Sequence, residues 1–135
     1  PNFTLSSNKN IDLTVDGFSY GNTDIAYSPD LIIGNIFVYK PIENLYVSLL
    51  QKFVGEQYMN NIELPEAKLD SYFVNDFNIA YEIFPKSVFK SIMVNVLVNN
   101  IFDTEYVANG YMWDVYPYYY PQAGINFLAG LTLKF

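Results

Sequence analysis

The sequence predicts an all-β protein, an antiparallel up-and-down meander of five to six strands that forms an open, curved section of a transmembrane β-barrel. Apolar and polar residues alternate with a period of two over several segments, which is the repeat of a strand and not of a helix. The connections between these segments alternate between short and long, as in barrels with short turns on one side of a bilayer and long loops on the other.

The candidate strands are recognised by their alternation. In the last segment, Asn126 to Phe135, the odd positions are apolar, and in the segment from Ile92 to Asn99 the even positions are apolar. The odd face is also the apolar one from Ser71 to Ile83 and, except for Gln51, from Leu45 to Phe53. The segment from Leu31 to Tyr39 is apolar on both faces, and residues 1–7 read as the end of a truncated strand.

Two of the connections are tight turns that contain proline, Lys40 to Asn44 and Phe84 to Ser87. Proline and asparagine favour turns because of the backbone angles that they adopt. The other connections are long, at about residues 8–28, 58–69 and 103–124. We therefore expect the short turns to lie at one end of the meander and the long loops at the other.

Aromatic residues concentrate at both expected ends of the strands. Amphipathic rings prefer the headgroup level of a bilayer, so that two bands of rings indicate two membrane interfaces. The alternative is that Tyr and Phe are good strand formers in a soluble sheet. The rings at the short-turn end are Tyr39, Phe84, Phe89 and Phe135, and those toward the long loops are Tyr27, Tyr58, Tyr72, Tyr106 and the cluster from Tyr111 to Tyr120.

Composition excludes several classes of protein. The 135 residues suffice for about one domain, and 51% hydrophobic residues exclude a disordered chain. A net charge of -7, with seven lysines and no arginine, disfavours nucleic acid as a partner. The absence of Cys and His removes thiol and imidazole chemistry and the usual zinc sites, so we expect neither an enzyme nor a cofactor. No apolar run approaches the roughly 20 residues of a transmembrane helix.

The fourteen acidic residues offer no selected pair for catalysis, because most of them fall in or beside the long loops, where solvation leaves carboxylates ordinary. Asp12 and Asp16 precede Gly17 but lack the full spacing of a calcium loop, so no metal site is expected. The chain begins at Pro1 without an apolar leader segment, and we read it as a piece of something longer.

The last third of the chain resembles the C-terminal end of a TonB-dependent outer-membrane receptor. The family pattern has Asn-Leu-Phe-Asp followed shortly by Tyr, then Pro-x-x-Gly-Arg, then a final strand that ends in Phe. This sequence has Asn100-Ile101-Phe102-Asp103 with Tyr106, then Pro121-Gln122-Ala123-Gly124 with Ile125 in place of Arg, and it ends at Phe135. Shorter matches, such as Tyr27-Ser28-Pro29 and Gln57-Tyr58, extend the resemblance to most of the chain from about residue 25.

The resemblance implies that residues 1–135 are the C-terminal portion of such a barrel, without the plug domain and the earlier strands. Receptors of this kind lie in the outer membrane as multi-pass barrels of about 22 strands, and import scarce ligands of the siderophore-iron, cobalamin or glycan class. The partners implied are outer-membrane lipid, the plug domain of the same parent chain, the barrel-assembly machinery and the energising inner-membrane complex.

Three sets of candidate site residues follow. Tyr111, Trp113 and Tyr116 belong to the most aromatic loop and could stack on a ligand, or anchor the loop to the barrel rim. Asp76, Asn78 and Glu82 share the less apolar face of one strand and would face the lumen, toward the plug domain, hydrated substrate or plain solvent. The residues of the expected barrel-assembly signal are Phe127, Leu131, Leu133 and Phe135.

A second hypothesis is a soluble β-sandwich that binds carbohydrate through Tyr and Trp. The apolar faces of the strands discriminate between the two hypotheses. Lipid would cover these faces in a barrel, whereas a sandwich would bury them against a second sheet.

Overall fold

The computed structural model describes residues 1–86 and 88–135. Strands make up most of this part of the chain, and one short 3-10 helix, Pro65–Ala67, interrupts them. The strands are β1 Asn2–Leu5, β2 Lys9–Val15, β3 Phe18–Asp24, β4 Leu31–Tyr39, β5 Leu45–Val54, β6 Gln57–Tyr58, β7 Lys68–Leu69, β8 Tyr72–Ile83, β9 Ser91–Asn99, β10 Val107–Trp113, β11 Tyr116–Pro121 and β12 Asn126–Lys134.

Six of the strands form one antiparallel sheet in the order β1-β4-β5-β8-β9-β12. Each pair of neighbours in the sheet consists of sheet strands that follow one another along the chain, which is an up-and-down meander. The sheet is open, with β1 and β12 at its edges. The predicted fold class and the six predicted strands are confirmed. The predicted turn from Phe84 to Ser87 joins β8 to β9, and its last residue, Ser87, lies outside the described residues.

Register aligns the apolar positions of all strands on one side of the sheet. Phe127 pairs with Val98, Val98 with Phe77, and Phe77 with Leu49. Residues directly opposite each other in a sheet point to the same face. The odd-numbered apolar positions of β12, β8 and β5 and the even-numbered ones of β9 therefore form one continuous apolar face.

Three polar residues interrupt the apolar face in one row, in which Asn35 pairs with Gln51 and Gln51 with Asn75. The Gln51 Nε2 donates a hydrogen bond of 2.7 Å to Asn75 Oδ1. A polar group without water needs such a partner, because an unsatisfied one costs about 1–3 kcal/mol. The hydrogen bond therefore gives Gln51 and Asn75 a polar partner on a face that is otherwise apolar.

No second layer covers the apolar face among the described residues. Val96 remains 37% exposed and Leu131 63% exposed, although both lie in the middle of their strands. Five apolar residues are buried in the described part of the chain, and only Val54 and Val74 belong to the sheet. A sandwich would bury one face of each sheet in a core, so the sandwich alternative is wrong.

Apolar packing concentrates outside the sheet. Met59, Ala67 and Leu69 form a small buried cluster between the strands of the second and third long connections. Among the residues that the structure describes, no helix has the length and apolarity to cross a membrane.

The three long connections contain regular structure, which differs from the expectation of plain loops. The first carries the hairpin β2–β3, the second the short pair β6–β7, and the third the hairpin β10–β11. The turn of the first hairpin is Asp16-Gly17, with both residues at positive φ. This Asp-Gly pair is the usual two-residue hairpin turn, and the alternation around it is too weak to reveal the strands.

Candidate functional site

The three long connections pack against one another at one end of the sheet, and we call residues 6–30, 55–71 and 100–125 the loop assembly. The first connection joins the second through Thr23, whose Oγ1 donates to the Asn61 carbonyl at 2.6 Å. The Asn61 side chain in turn accepts from the Ala26 amide at 2.8 Å. The Glu63 carboxylate accepts a further hydrogen bond from the amide of Asp24.

The third connection is joined to both of the others. The Tyr27 hydroxyl donates to the Gly110 carbonyl at 3.0 Å, which ties the first connection to β10. The Tyr119 hydroxyl donates to the Glu66 carbonyl at 2.8 Å, which ties β11 to the 3-10 helix. Val107 and Met112 of β10 also pack on the buried Met59 cluster. The loop assembly is therefore one packed unit and not three independent loops.

Asn100 organises the start of the third connection. Its Nδ2 donates to the Thr104 carbonyl at 2.9 Å and to the Ala123 carbonyl at 3.3 Å, and its Oδ1 accepts from the Thr104 amide at 2.9 Å. Asn100 is buried and has a φ of 50°, a conformation that asparagine tolerates better than most residues. The Asp103 Oδ1 accepts from the Ile125 amide at 2.7 Å, which holds the far end of the connection. Two residues of the sequence motif thus have a structural role.

The aromatic residues predicted to contact a ligand lie on the hairpin β10–β11. Tyr111 is stacked on Tyr118, with ring centroids 4.9 Å apart and an interplanar angle of 9°. Trp113 is 72% exposed and Tyr116 is 64% exposed, and these two residues pair at the tip of the hairpin. The hydroxyl of Tyr119, by contrast, is engaged within the protein. The hairpin thus presents broad apolar ring faces to the outside.

A cavity of about 720 Å³ opens between the second and third connections. Its wall contains the carboxylates of Asp70, Asp103 and Glu105 and the rings of Tyr106 and Tyr119. Its volume is in the usual range of small-molecule sites, roughly 300–1,000 Å³.

The two lysines of the loop assembly are each paired with a carboxylate. Lys68 lies at 2.7 Å from the Glu56 carboxylate, and Lys9 contacts Asp24. The hydrogen bond to Glu56 raises the pKa of Lys68, and the hydrogen bond to Asp24 raises the pKa of Lys9. Both ammonium groups therefore remain charged at neutral pH and are partly neutralised by their partners.

The residues predicted to face a lumen share the sheet face opposite the apolar one, but they do not form one cluster. The Asp76 Oδ1 accepts a hydrogen bond of 2.8 Å from the amide of Asn100, the first residue of the third connection. Glu82 lies at the short-turn end, where its carboxylate is 3.1 Å from the Lys134 ammonium. Asn78 lies between them and pairs with Ser48 and Leu97. Whether these residues face a lumen stays a prediction.

The residues of the predicted assembly signal lie together on the apolar face of the edge strand β12 and its end. Phe127, Leu131 and Leu133 are exposed there, and the ring of Phe135 lies 5.1 Å from that of Phe89. Their role in assembly stays a prediction. No group of three or more acidic residues in the described ranges is arranged to hold a metal ion.

Sequence reasoning did not identify the residues that join the three connections, of which Asn61 and Gly110 are the clearest. Asn61 lies in a polar stretch without periodicity, and Gly110 lies in a segment that the sequence analysis assigns to a loop. The glycine itself was a usable signal, because an isolated glycine within a strand often marks a close approach of another segment.

Gly110→Ala is expected to loosen the loop assembly. A Cβ at this position would lie 2.5 Å from the Tyr118 carbonyl oxygen and 2.6 Å from the Met59 sulfur, and the backbone oxygen cannot move without distorting the hairpin. Such overpacking costs about 1–3 kcal/mol. Amide hydrogen exchange of β10 and β11 in the intact polypeptide should become faster. Gly130→Ala is the matched control, since its Cβ would meet nothing within 4 Å, and equal effects of the two changes would contradict the expectation.

Comparison with solved structures shows the fold. The chain is similar to the ferric-catecholate import receptor Fiu from E. coli K12 in its open form, with 21% identity, a TM-score of 0.62 and coverage of 82% of this chain. For the closed form the identity is 21%, the TM-score 0.64 and the coverage 91%. The chain spans 16% of the length of either receptor structure. No protein-family model and no curated protein matches it.

The likeness agrees with the resemblance of the sequence motifs to a receptor barrel. The chain has the fold of a section of the barrel in these structures, an open antiparallel meander. Both neighbours are named as import receptors, and neither is named as an enzyme.

Proposed function

We propose that this chain is the C-terminal part of the barrel of a TonB-dependent receptor in the outer membrane. In this proposal the intact polypeptide imports a scarce ligand of the siderophore-iron, cobalamin or glycan class. The observation that carries the proposal is the apolar face of the six-stranded sheet, which no protein layer covers within residues 1–86 and 88–135. Lipid is the environment that stabilises such a face, because strands of membrane barrels present alternate apolar side chains to the hydrocarbon.

The proposal assigns a role to each set of residues. Trp113 and Tyr116 would contact the ligand at the external mouth, because they are the most exposed aromatic residues of the hairpin. Tyr111, which is stacked on Tyr118 in the same hairpin, would add a further ring. Asp76, Asn78 and Glu82 would line the lumen opposite the plug domain. The assembly machinery would recognise the apolar residues of the final strand, Phe127, Leu131, Leu133 and Phe135.

Transport by the intact polypeptide would require parts that the described residues do not include. A plug domain would occlude the lumen, and an energised inner-membrane complex would drive its movement. Residues 1–135 would supply part of the wall of the barrel, part of its rim and some of its external loops. It is proposed to act by binding and transport and not by catalysis.

The proposal is tested by fractionation and uptake with the intact polypeptide. We expect it in the outer-membrane fraction, soluble only in detergent, and we expect uptake of its ligand to stop when the energising complex is deleted. A deletion strain that retains the receptor but lacks the complex separates binding from transport. Recovery of the intact polypeptide as a water-soluble monomer would refute the proposal.

A further inference from the structure

Acidic residues concentrate at one end of the molecule. Eleven of the fourteen carboxylates belong to the loop assembly, whereas five of the seven lysines lie elsewhere in the chain. The acidic residues of the loop assembly are Asp12, Asp16, Asp24, Asp30, Glu56, Glu63, Glu66, Asp70, Asp103, Glu105 and Asp114. The remaining part of the chain has more lysines than acidic residues and is net basic. The loop assembly is therefore more negative than the net charge of -7 of the whole chain.

The loop assembly has little positive charge to offer an anion. Lys9 and Lys68 are its only cationic side chains, and both already contact carboxylates. The chain contains no arginine, the residue best suited to holding planar anionic groups. The lining of the 720 Å³ cavity repeats this balance, with three carboxylates and Lys68 as its charged groups.

A ferric complex of three catecholates is a strong anion, because each catecholate carries two negative charges and the ferric ion only three positive ones. A surface of like charge lowers the local concentration of such a ligand and slows its association, by about 10-fold or more where the field is focused in a cleft. Uncharged ligands do not meet this barrier, and cationic ligands are attracted to the surface and can also stack on exposed rings.

We propose that the loop assembly selects against anionic ligands, so that the intact receptor takes up an uncharged or cationic ligand. The inference rests on the proposed function and narrows its ligand class. It separates this chain from the structural neighbours in ligand charge, since those are named for ferric-catecholate import. The exposed rings of Trp113 and Tyr116 at the tip of the hairpin, and the rings of Tyr106 and Tyr119 in the lining of the separate cavity at its base, would supply contacts that need no charge.

The test is equilibrium dialysis of the intact polypeptide in detergent against matched probes. Ferric tris-hydroxamate and ferric tris-catecholate are the uncharged and anionic iron probes, neutral and uronic-acid oligosaccharides are the glycan probes, and cyanocobalamin is the third class. We expect the tightest binder to be one of the uncharged probes, and within the iron or glycan pair we expect the uncharged probe to bind about tenfold more tightly than its anionic counterpart. The preference should shrink at high salt, because screening weakens the repulsion.

In the double variant Asp70→Asn with Glu105→Gln, the ratio of the affinities for the uncharged and the anionic probe should fall by about threefold. The two changes remove negative charge from the cavity and keep the shapes of the side chains. Glu43→Gln at the short-turn end is the control and should leave the preference unchanged. Tightest binding of an anionic probe, or an unchanged ratio in the double variant, would overturn the charge selection and leave the receptor function standing. Failure of every probe to bind would count against the receptor function and remove the inference with it.

Discussion

Val96→Arg is expected to destabilise the intact polypeptide in lipid by about 2–4 kcal/mol, the cost of a basic residue on the lipid face of a barrel near the midplane. Val96 lies at the centre of β9 on the apolar face, between Ile79 of β8 and Ala129 of β12. Its neighbours offer no polar partner for a guanidinium. Unfolding by denaturant in lipid vesicles, followed by the mobility difference of folded and unfolded barrels in gels, measures the change.

Asn95→Arg is the matched control for Val96→Arg. Asn95 is the adjacent residue on the opposite face, where it pairs with Ala80 and Gly130. The glycine leaves space there, and surface changes of this kind are usually within about 0.5 kcal/mol. If Asn95→Arg cost as much as Val96→Arg, or more, lipid would not cover the face that we assign to it.

Asn100→Ala is expected to open the third long connection, at a cost of about 3 kcal/mol. The change removes three side-chain hydrogen bonds, each worth about 1 kcal/mol. It also places an alanine at a φ of 50°. Alanine is strained in this left-handed conformation, because its Cβ crowds the backbone and its side chain cannot form a compensating hydrogen bond. Hydrogen exchange of the Thr104 amide should become faster by about a hundredfold, which corresponds to this free energy.

Two variants separate the hydrogen bonds of Asn100 from simple truncation. Asn100→Asp keeps the acceptor for the Thr104 amide and the tolerance of positive φ, so it should cost clearly less than alanine. Asn99→Ala removes an adjacent asparagine with one exposed hydrogen bond, to Asn126, and should have little effect. An Asn100→Ala variant with unchanged exchange in residues 100–125 would contradict the structural role of this residue.

The strands of the sheet could be predicted because their signal is local. In β9 and β12 each side chain alternates between an apolar and a more polar face, and the period of two survives without knowledge of any partner. The Asn100–Asp103 motif also marked the correct place, the end of β9. The hydrogen bonds of this motif to Thr104, Ala123 and Ile125 could not be predicted from the sequence, because they join residues up to 23 positions apart.

The candidate site was predicted only in part. An exposed ring cluster around Trp113 follows from composition, but the packing that presents it depends on Tyr119 reaching Glu66 and on Gly110 admitting Met59. These contacts cross between connections that have no periodic pattern. Polar loop sequence carries turn signals such as Asp16-Gly17, yet it does not encode which loop meets which.

By itself, the sequence determined the class of fold, the six strands, the two sheet faces and the uneven distribution of charge, since each of these depends on residue type and on spacing along the chain. Only the tertiary structure decided that no other segment of the described chain covers the apolar face, that the three long connections form one packed unit, and that both of their lysines are paired. Those properties depend on contacts between residues far apart in the chain. Such contacts form only when the strands adopt one register and bring the loops to the same end.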